Sequence, residues 1–159
     1  NSLQKTKGID GRCQVLKDKP YTIILDYAHT PDGLINILST FKGMGRVVCL
    51  FGCGGDRDPI KRPIMGEIAG NHSDFVILTS DNPRFEDPMS IIEQAEEGLK
   101  KTDCPYIIIE NRKEAIKYSI ENAKNGDIII LAGKGHETYQ EIKGVRYDLN
   151  EKEIVKEFI

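Results

Sequence analysis

Four short segments concentrate the residue types that bind small charged molecules. They are segments 26–31, 52–58, 80–84 and 133–137, and each directly follows a short apolar run. Their side chains are carboxylates, guanidinium groups, imidazoles and amides, which are the groups that pair with ammonium, carboxylate and phosphate. Loop composition alone is a poor explanation for four such segments in one chain. The pattern therefore predicts a binding site for a ligand that carries charges of both signs.

The apolar runs alternate with helical patterns along the chain. The predicted strands are 21–25, 46–51, 75–79, 106–109 and 127–132. The predicted helices are 31–42, 61–71, 88–101, 111–123 and a last short helix after Asn150. This alternation predicts a single α/β domain with a mainly parallel sheet flanked by helices. Because ligands bind beyond the carboxyl ends of strands in such sheets, the four segments are expected to meet at one edge.

The end of the chain departs from this alternation. Two short runs flank Lys143-Gly144 within residues 138–149 and predict a C-terminal antiparallel hairpin. The whole of 1–159 is expected to be one domain, with residues 1–8 a linker or a tail. No internal repeat or low-complexity tract divides the chain.

Composition excludes several classes of function. The net charge of −3 provides no basic field for nucleic acid or for anionic membranes. No apolar run has the length that a bilayer span requires. The four cysteines form no CxxC pair, so reduced thiols are expected and no metal site is predicted. They are Cys13, Cys49, Cys53 and Cys104.

Two of the segments carry arginines that suit a carboxylate ligand. Arg57 follows a glycine-rich turn and could grip a carboxylate as a planar fork. Pro83 fixes its own backbone and restricts Asn82, which presents Asn82 and Arg84 rigidly. An Asx-type turn leading into the helix at 88 is an equally good explanation of Asp81 and Asn82, but it leaves Arg84 unexplained.

The other two segments offer groups for an ammonium and for a nucleotide. Gly133 allows close backbone approach, and Glu137 could pair with a ligand ammonium or with a neighbouring basic side chain. Asp26 is placed for ribose hydroxyls or for loop N–H groups, and His29 for a phosphate oxygen or for loop packing. The chain contains neither GxxxxGK[ST] nor GxGxxG, so independent nucleotide binding has poor support.

Taken together and in order, these strings resemble the Mur ligase family over nearly the whole chain. They are Gly11-Arg12, DYAHTPD at 26–32, FGCGGDRD at 51–58, Lys61-Arg62-Pro63, DNPR at 81–84 and AGKGHETYQ at 132–140. DNPR together with GKGHE is similar to the family members that add meso-2,6-diaminopimelate, whereas lysine-adding relatives replace that arginine.

The resemblance implies a Rossmann-like C-terminal domain of a three-domain, cytoplasmic enzyme. In such enzymes the first domain binds a UDP-sugar, and the central domain binds ATP and Mg²⁺. Nothing in this chain resembles those two domains, so it is expected to be inactive alone and to hold no catalytic residue. The reaction it implies is ATP-dependent activation of the peptide carboxylate of UDP-N-acetylmuramoyl-L-alanyl-D-glutamate, followed by attack of the diaminopimelate amine. This is a step of peptidoglycan synthesis.

The resemblance also implies residue roles. The amino-acid-binding positions are Arg57, Asp81, Asn82, Pro83, Arg84, Gly133 and Glu137. The nucleotide-facing positions are Arg12, Asp26 and His29. Two alternatives stay open: the same domain in a ligase that adds lysine or another amino acid, and a free-standing nucleotide-binding module.

Overall fold

A computed structural model describes residues 12–159. The strands are β1 (Gln14–Lys17), β2 (Thr22–Asp26), β3 (Val47–Phe51), β4 (Phe75–Leu78), β5 (Tyr106–Ile108), β6 (Ile128–Ala132), β7 (Tyr139–Ile142) and β8 (Val145–Asp148). The helices are α1 (Pro31–Phe41), α2 (Lys61–His72), α3 (Pro88–Leu99), α4 (Arg112–Glu121) and α5 (Glu151–Phe158). All five predicted strands, the helices and the hairpin are present. The prediction for residues 1–8 lies outside the described range.

Six strands form one sheet in the order β1-β2-β6-β3-β4-β5. Strands β2 to β6 are mutually parallel, and β1 runs antiparallel to β2 at one edge. The chain runs outward from β3 to β5 and then returns through α4, which inserts β6 between β2 and β3. A topological switch point of this kind leaves a crevice at the carboxyl ends of the strands.

The helices cover the sheet on both sides. Helices α1, α2 and α3 pack on one face, and α4 and α5 pack on the other. The central strand β6 shows the resulting alternation, because Ile128 and Ile130 belong to the first core and Ile129 and Leu131 to the second. Strands buried on both faces are expected to be apolar throughout, as β3 and β6 are.

Polar residues fix where the helices begin. The side chains of Thr30, Asn111 and Asn150 accept hydrogen bonds from N–H groups in the first turns of α1, α4 and α5. Each thereby satisfies a backbone donor that the helix itself leaves unpaired. The helix starts therefore follow from local sequence, and they fix where the preceding loops end.

Two features were beyond the sequence prediction. Strand β1 was not predicted, because its four residues show no clear alternation of apolar and polar side chains. In the structure all four are only half buried. The hairpin β7–β8 was predicted, but its position was not. It forms a separate two-stranded sheet and is joined to the main body by a parallel bridge between Arg84 and Ile142. Among the described residues, no helix is long and apolar enough to cross a membrane.

Candidate functional site

The four polar loops meet at the carboxyl edge of the sheet, as the sequence predicts. They surround an open cleft of about 820 Å³, and the β7–β8 hairpin closes one side of it. Seven of the ten predicted site residues line this cleft. They are His29, Arg57, Asp81, Asn82, Arg84, Gly133 and Glu137. The cleft walls carry guanidinium, ammonium and carboxylate groups side by side.

Arg84 is fixed by contacts on several of its atoms. Its backbone is in the left-handed region at φ 54°, which is uncommon for arginine. Its N–H donates to the carbonyl of Glu141 at 3.0 Å, and its carbonyl accepts from Lys143 N–H at 2.7 Å. In the side chain, Nη1 donates to the carbonyl of Gly55 at 2.9 Å, and Nε lies 3.3 Å from a Glu141 carboxylate oxygen. These contacts leave Nη2 without a hydrogen bond to any described residue.

Asn82 is almost fully buried beneath Arg84. Its Oδ1 accepts two hydrogen bonds, from Lys134 Nζ at 2.9 Å and from Glu141 N–H at 2.9 Å. Its backbone carbonyl accepts from Gly55 N–H at 2.7 Å. Asn82 therefore joins three separate segments of the chain at the floor of the cleft.

Lys134 is the buried cation at this junction. Its side chain is fully inaccessible, and Nζ donates to Asn82 Oδ1 and to the carbonyl of Tyr139 at 2.8 Å. The same ammonium lies 3.1 Å from Asp81 Oδ1 and 3.8 Å from Glu137 Oε1. The Asp81 contact is an ion pair and not a hydrogen bond. Both carboxylates also line the cleft, where a ligand could reach them.

The loop after β3 approaches the 81–84 segment at backbone distance. A Cβ on Gly55 would collide with the carbonyl of Pro83, so only glycine fits there. Pro83 does not line the cleft itself. Its part in this structure is to shape the segment against Gly55.

A buried guanidinium, that of Arg62, supports the same loop. Arg62 is 2% exposed, and its Nη2 donates to the carbonyl of Gly54 at 3.0 Å. Arg62 also pairs with both carboxylate oxygens of Glu86, at 2.6 and 3.1 Å. These hydrogen bonds from Arg62, together with one from Asp56 N–H, lower the pKa of Glu86 below its ordinary value. Glu86 is therefore ionised near neutral pH.

The remaining cleft residues are much freer. Arg57 is exposed and makes one hydrogen bond, to the carbonyl of its neighbour Asp56. His29 is exposed, its Nδ1 lies 2.9 Å from the carbonyl of Tyr27, and its ring packs on the Tyr27 ring at 4.6 Å. Both side chains can move toward a ligand at little energetic cost.

Two predicted nucleotide-facing residues do not line the cleft. Arg12 is exposed and lies just before β1. Asp26 uses its carboxylate within the fold, accepting from Cys13 N–H at 2.7 Å and from Ala28 N–H at 2.9 Å. Asp26 thus holds the loop after β2 in place, which is the loop-bonding alternative left open by the sequence.

In the part of the chain that the structure describes, no group of three His, Cys, Asp or Glu side chains is placed to hold a metal ion. Arg12 and His29 are exposed, and both carboxylate oxygens of Asp26 accept hydrogen bonds within the fold.

Sequence reasoning missed the buried cations. Lys134, Arg62 and Arg112 were given no individual role, because charged side chains are mostly exposed and nothing in a single sequence marks the exceptions. Arg112 donates to the carbonyls of Ser80 and Ala132, which ties together the ends of β4 and β6. Burial opposes its charge, but Glu151 and Asp81 outweigh that effect and raise the pKa of Arg112.

Comparison with known proteins identifies the family. The family model described as "Mur ligase, glutamate ligase domain" matches residues 11–135. The chain belongs to the Mur ligase family. It is 57% identical over 143 residues to a UDP-N-acetylmuramoyl-L-alanyl-D-glutamate–2,6-diaminopimelate ligase of Caldanaerobacter subterraneus subsp. tengcongensis, covering 89% of this chain and 30% of that protein. The protein of the same name from Clostridium tetani is 48% identical over 162 residues, covering 99% of this chain and 33% of that protein.

Solved structures of Mur ligases share the fold. A structure of a UDP-N-acetylmuramoyl-L-alanyl-D-glutamate–2,6-diaminopimelate ligase matches with a TM-score of 0.89 at 46% identity, covering 96% of this chain and 32% of that one. A UDP-N-acetylmuramate–alanine ligase of Thermotoga maritima matches with a TM-score of 0.58 at 18% identity, covering 83% of this chain and 28% of that one, and shows the fold alone. The chain spans about a third of the length of these Mur ligases.

Proposed function

We propose that this chain is the C-terminal, amino-acid-presenting domain of an ATP-dependent ligase. The ligase adds meso-2,6-diaminopimelate to UDP-N-acetylmuramoyl-L-alanyl-D-glutamate in peptidoglycan synthesis, in the cytoplasm. The proposal rests on one observation above all. A fixed guanidinium, Arg84, and two carboxylates, Asp81 and Glu137, line the same cleft. The names of the relatives that are 48–57% identical point to the same amino acid.

The arrangement of charge suits diaminopimelate better than lysine. Diaminopimelate carries a carboxylate and an ammonium at each end, whereas lysine has only an ammonium at its far end. A carboxylate on the open Nη2 of Arg84 gains the energy of a charged hydrogen bond, about 1.5–3 kcal/mol. The carboxylates of Asp81 and Glu137, which line the cleft, accept an ammonium of the same ligand. Lysine would leave Arg84 without a carboxylate from the ligand.

The role of the domain in catalysis is positioning. The reacting amine must reach the activated carboxylate with its lone pair directed at the carboxyl carbon. Holding the two reactants in that geometry removes much of the entropic barrier to the reaction. Arg57 is placed to hold a second ligand carboxylate, because it lines the cleft and is exposed. Gly133 lines the wall beside Glu137 at φ 117°, where its backbone can approach the ligand closely.

The nucleotide chemistry belongs to the rest of the ligase. ATP and Mg²⁺ bind mainly to the portion of the enzyme that this chain lacks, as do the UDP-sugar substrate and its peptide. Arg12 and His29 face the nucleotide when the domains close, which brings positive charge to the transferred phosphoryl group. Asp26 supports them by fixing the loop that carries His29.

Two other functions differ in what they predict. The same domain in a lysine-adding ligase would favour lysine over diaminopimelate. A free-standing nucleotide-binding module would bind ATP without further domains. The open Nη2 of Arg84 counts against the first, and the missing phosphate-binding loop counts against the second.

The test is an activity assay of the longer protein that contains this chain. The protein is incubated with ATP, Mg²⁺ and UDP-N-acetylmuramoyl-L-alanyl-D-glutamate and with either meso-diaminopimelate or L-lysine. The mass of the product is measured by mass spectrometry. We expect diaminopimelate to be added and lysine to be a poor substrate. Preferential addition of lysine would refute the substrate assignment, and tight ATP binding by this chain alone would favour the nucleotide-binding module.

A further inference from the structure

The ammonium of Lys134 and the Glu141 backbone N–H together fix how Asn82 is oriented. Nζ and the Glu141 backbone N–H both lie 2.9 Å from the same amide atom of Asn82. Both are obligatory donors, so that atom can only be the amide oxygen. The Asn82 NH₂ group must then point to the other side. It makes no hydrogen bond to any residue in the described part of the chain, and Asn82 lines the cleft.

The same ammonium also holds the 81–84 segment against the hairpin. Its bond to the Tyr139 carbonyl fixes the first residue of β7. Strand β7 then runs beside the segment, with Gln140 Nε2 donating to the carbonyl of Asp81 at 2.6 Å. Because Lys134 is fully buried, its loss would remove one of the two donors to Asn82 Oδ1 and the ammonium that donates to the Tyr139 carbonyl.

We propose that Lys134 is a positioning residue that makes Asn82 a hydrogen-bond donor toward the ligand and so completes a carboxylate site with Arg84. This rests on the proposed function, because the carboxylate is that of the diaminopimelate side chain. Without the ammonium, only the Glu141 N–H holds the amide oxygen inward, so a second orientation, with the oxygen facing the cleft and repelling that carboxylate, becomes populated. Lys134 does not touch the ligand, since its side chain is inaccessible and its donors are used within the protein.

The first part of the test uses this chain by itself and does not depend on any substrate. A buried, hydrogen-bonded ammonium exchanges its protons slowly, so a lysine ¹⁵Nζ signal should persist in NMR spectra near neutral pH. We expect this signal to vanish in Lys134→Met and the Asn82 side-chain amide signals to shift with it. A wild-type spectrum without a protected ammonium, or Asn82 signals that do not move in Lys134→Met, would overturn the proposal.

The second part uses the longer ligase and separates positioning from folding. Lys134→Met should raise KM for diaminopimelate by roughly tenfold or more, with KM for ATP and for the UDP-peptide nearly unchanged. Arg46→Met is the matched control, because it removes the ion-pair partner of the buried Asp127 at the opposite edge of the sheet. It should lower stability without raising KM for the amino acid. An equal change of all three KM values in Lys134→Met would indicate a merely structural role and refute the proposal.

Asn82→Asp tests the orientation even if Lys134→Met folds poorly. The substitution keeps the shape and one oxygen for Lys134, but it replaces the cleft-facing NH₂ with a carboxylate oxygen. We expect KM for diaminopimelate to rise at least as much as in Lys134→Met, with a much smaller change for lysine. An unchanged KM for diaminopimelate would show that the oxygen already faces the ligand. If the wild-type ligase did not use diaminopimelate at all, the proposed function would fail instead, and the NMR result would still stand.

Discussion

The charged residues of the cleft fall into two groups that are built differently. The first group, called the amino-acid end of the proposed site, consists of Asn82, Arg84 and Lys134, which are each held by several contacts from separate segments of the chain. The second group, called the open end, consists of Arg57 and His29, which are exposed and contact little beyond their own loops. The first group is already shaped for a ligand, and the second has charged side chains that are free to move.

The difference indicates which task each end performs. Rigid donors discriminate between ligands, because they lose little entropy on binding and stay unpaired when the wrong ligand is present. Mobile groups at a surface suit a site that is completed only when another domain closes over it. Specificity for the amino acid is therefore expected to reside in this domain, and the reaction is expected to require the rest of the ligase.

The largest expected effect comes from removing the fixed guanidinium. Arg84→Ala should lower kcat/KM of the ligase for diaminopimelate far more than for lysine. A site built to bind a polar group can reject the analogue that lacks it by about 10⁴-fold, and the substitution should abolish most of that ratio. Steady-state kinetics with both amino acids measure this ratio of kcat/KM values. An equal loss of kcat/KM for both amino acids would show that Arg84 does not bind the carboxylate at the far end of diaminopimelate.

The next effect comes from the close approach of two backbones at the amino-acid end. Gly55→Ala should lower the free energy of unfolding by about 1–3 kcal/mol, because its Cβ would push against the Pro83 carbonyl. It should also weaken diaminopimelate binding by moving Arg84. Denaturant titration and calorimetry measure the two effects.

Gly43→Ala is the control for Gly55→Ala. It has open space around it but a left-handed φ of 84°, so it should cost stability and leave binding intact. Weakened binding in Gly43→Ala as well would mean that the binding loss in Gly55→Ala reflects stability alone.

A smaller effect is expected from changing Glu86, whose carboxylate forms an ion pair with Arg62. The folded pKa of Glu86 lies below its ordinary value of 4.5, so its ionised form stabilises the fold above that pH. That contribution is lost as the pH falls through the lowered folded pKa. Glu86→Gln should therefore be less stable than wild type at pH 7, and the difference should shrink in acid. A stability difference that stays constant from pH 7 down to acid denaturation would contradict the role of this ion pair.

The smallest effect on stability is expected at the open end. Arg57→Ala removes an exposed side chain with a single hydrogen bond to its neighbour, so the free energy of unfolding should change by less than about 0.5 kcal/mol. Amino-acid binding should still weaken, since Arg57 lines the cleft. A large loss of stability would show that the open end is as tightly built as the other.

The sequence predicted the strands, helices and loops that form this site better than the buried charged residues that support it. Strands, helices and the meeting of four loops followed from apolar runs and capping residues such as Asn111. The buried cations could not be predicted, because Lys134 and Arg112 have ordinary local sequences and their burial depends on partners far along the chain. For Asp26 the sequence left hydrogen bonding to loop N–H groups open as an alternative, but it did not identify Cys13 as a donor, because strand β1 beside it was not predicted.

The central claim is that the amino-acid end is already formed in this domain and reads the far carboxylate. The most direct test is calorimetric titration of this chain with meso-diaminopimelate and, separately, with L-lysine. The account predicts saturable binding of diaminopimelate and at most weak binding of lysine. Lysine bound as tightly as diaminopimelate would contradict the role of Arg84, and binding of neither would contradict the claim that the pocket is formed before the other domains close.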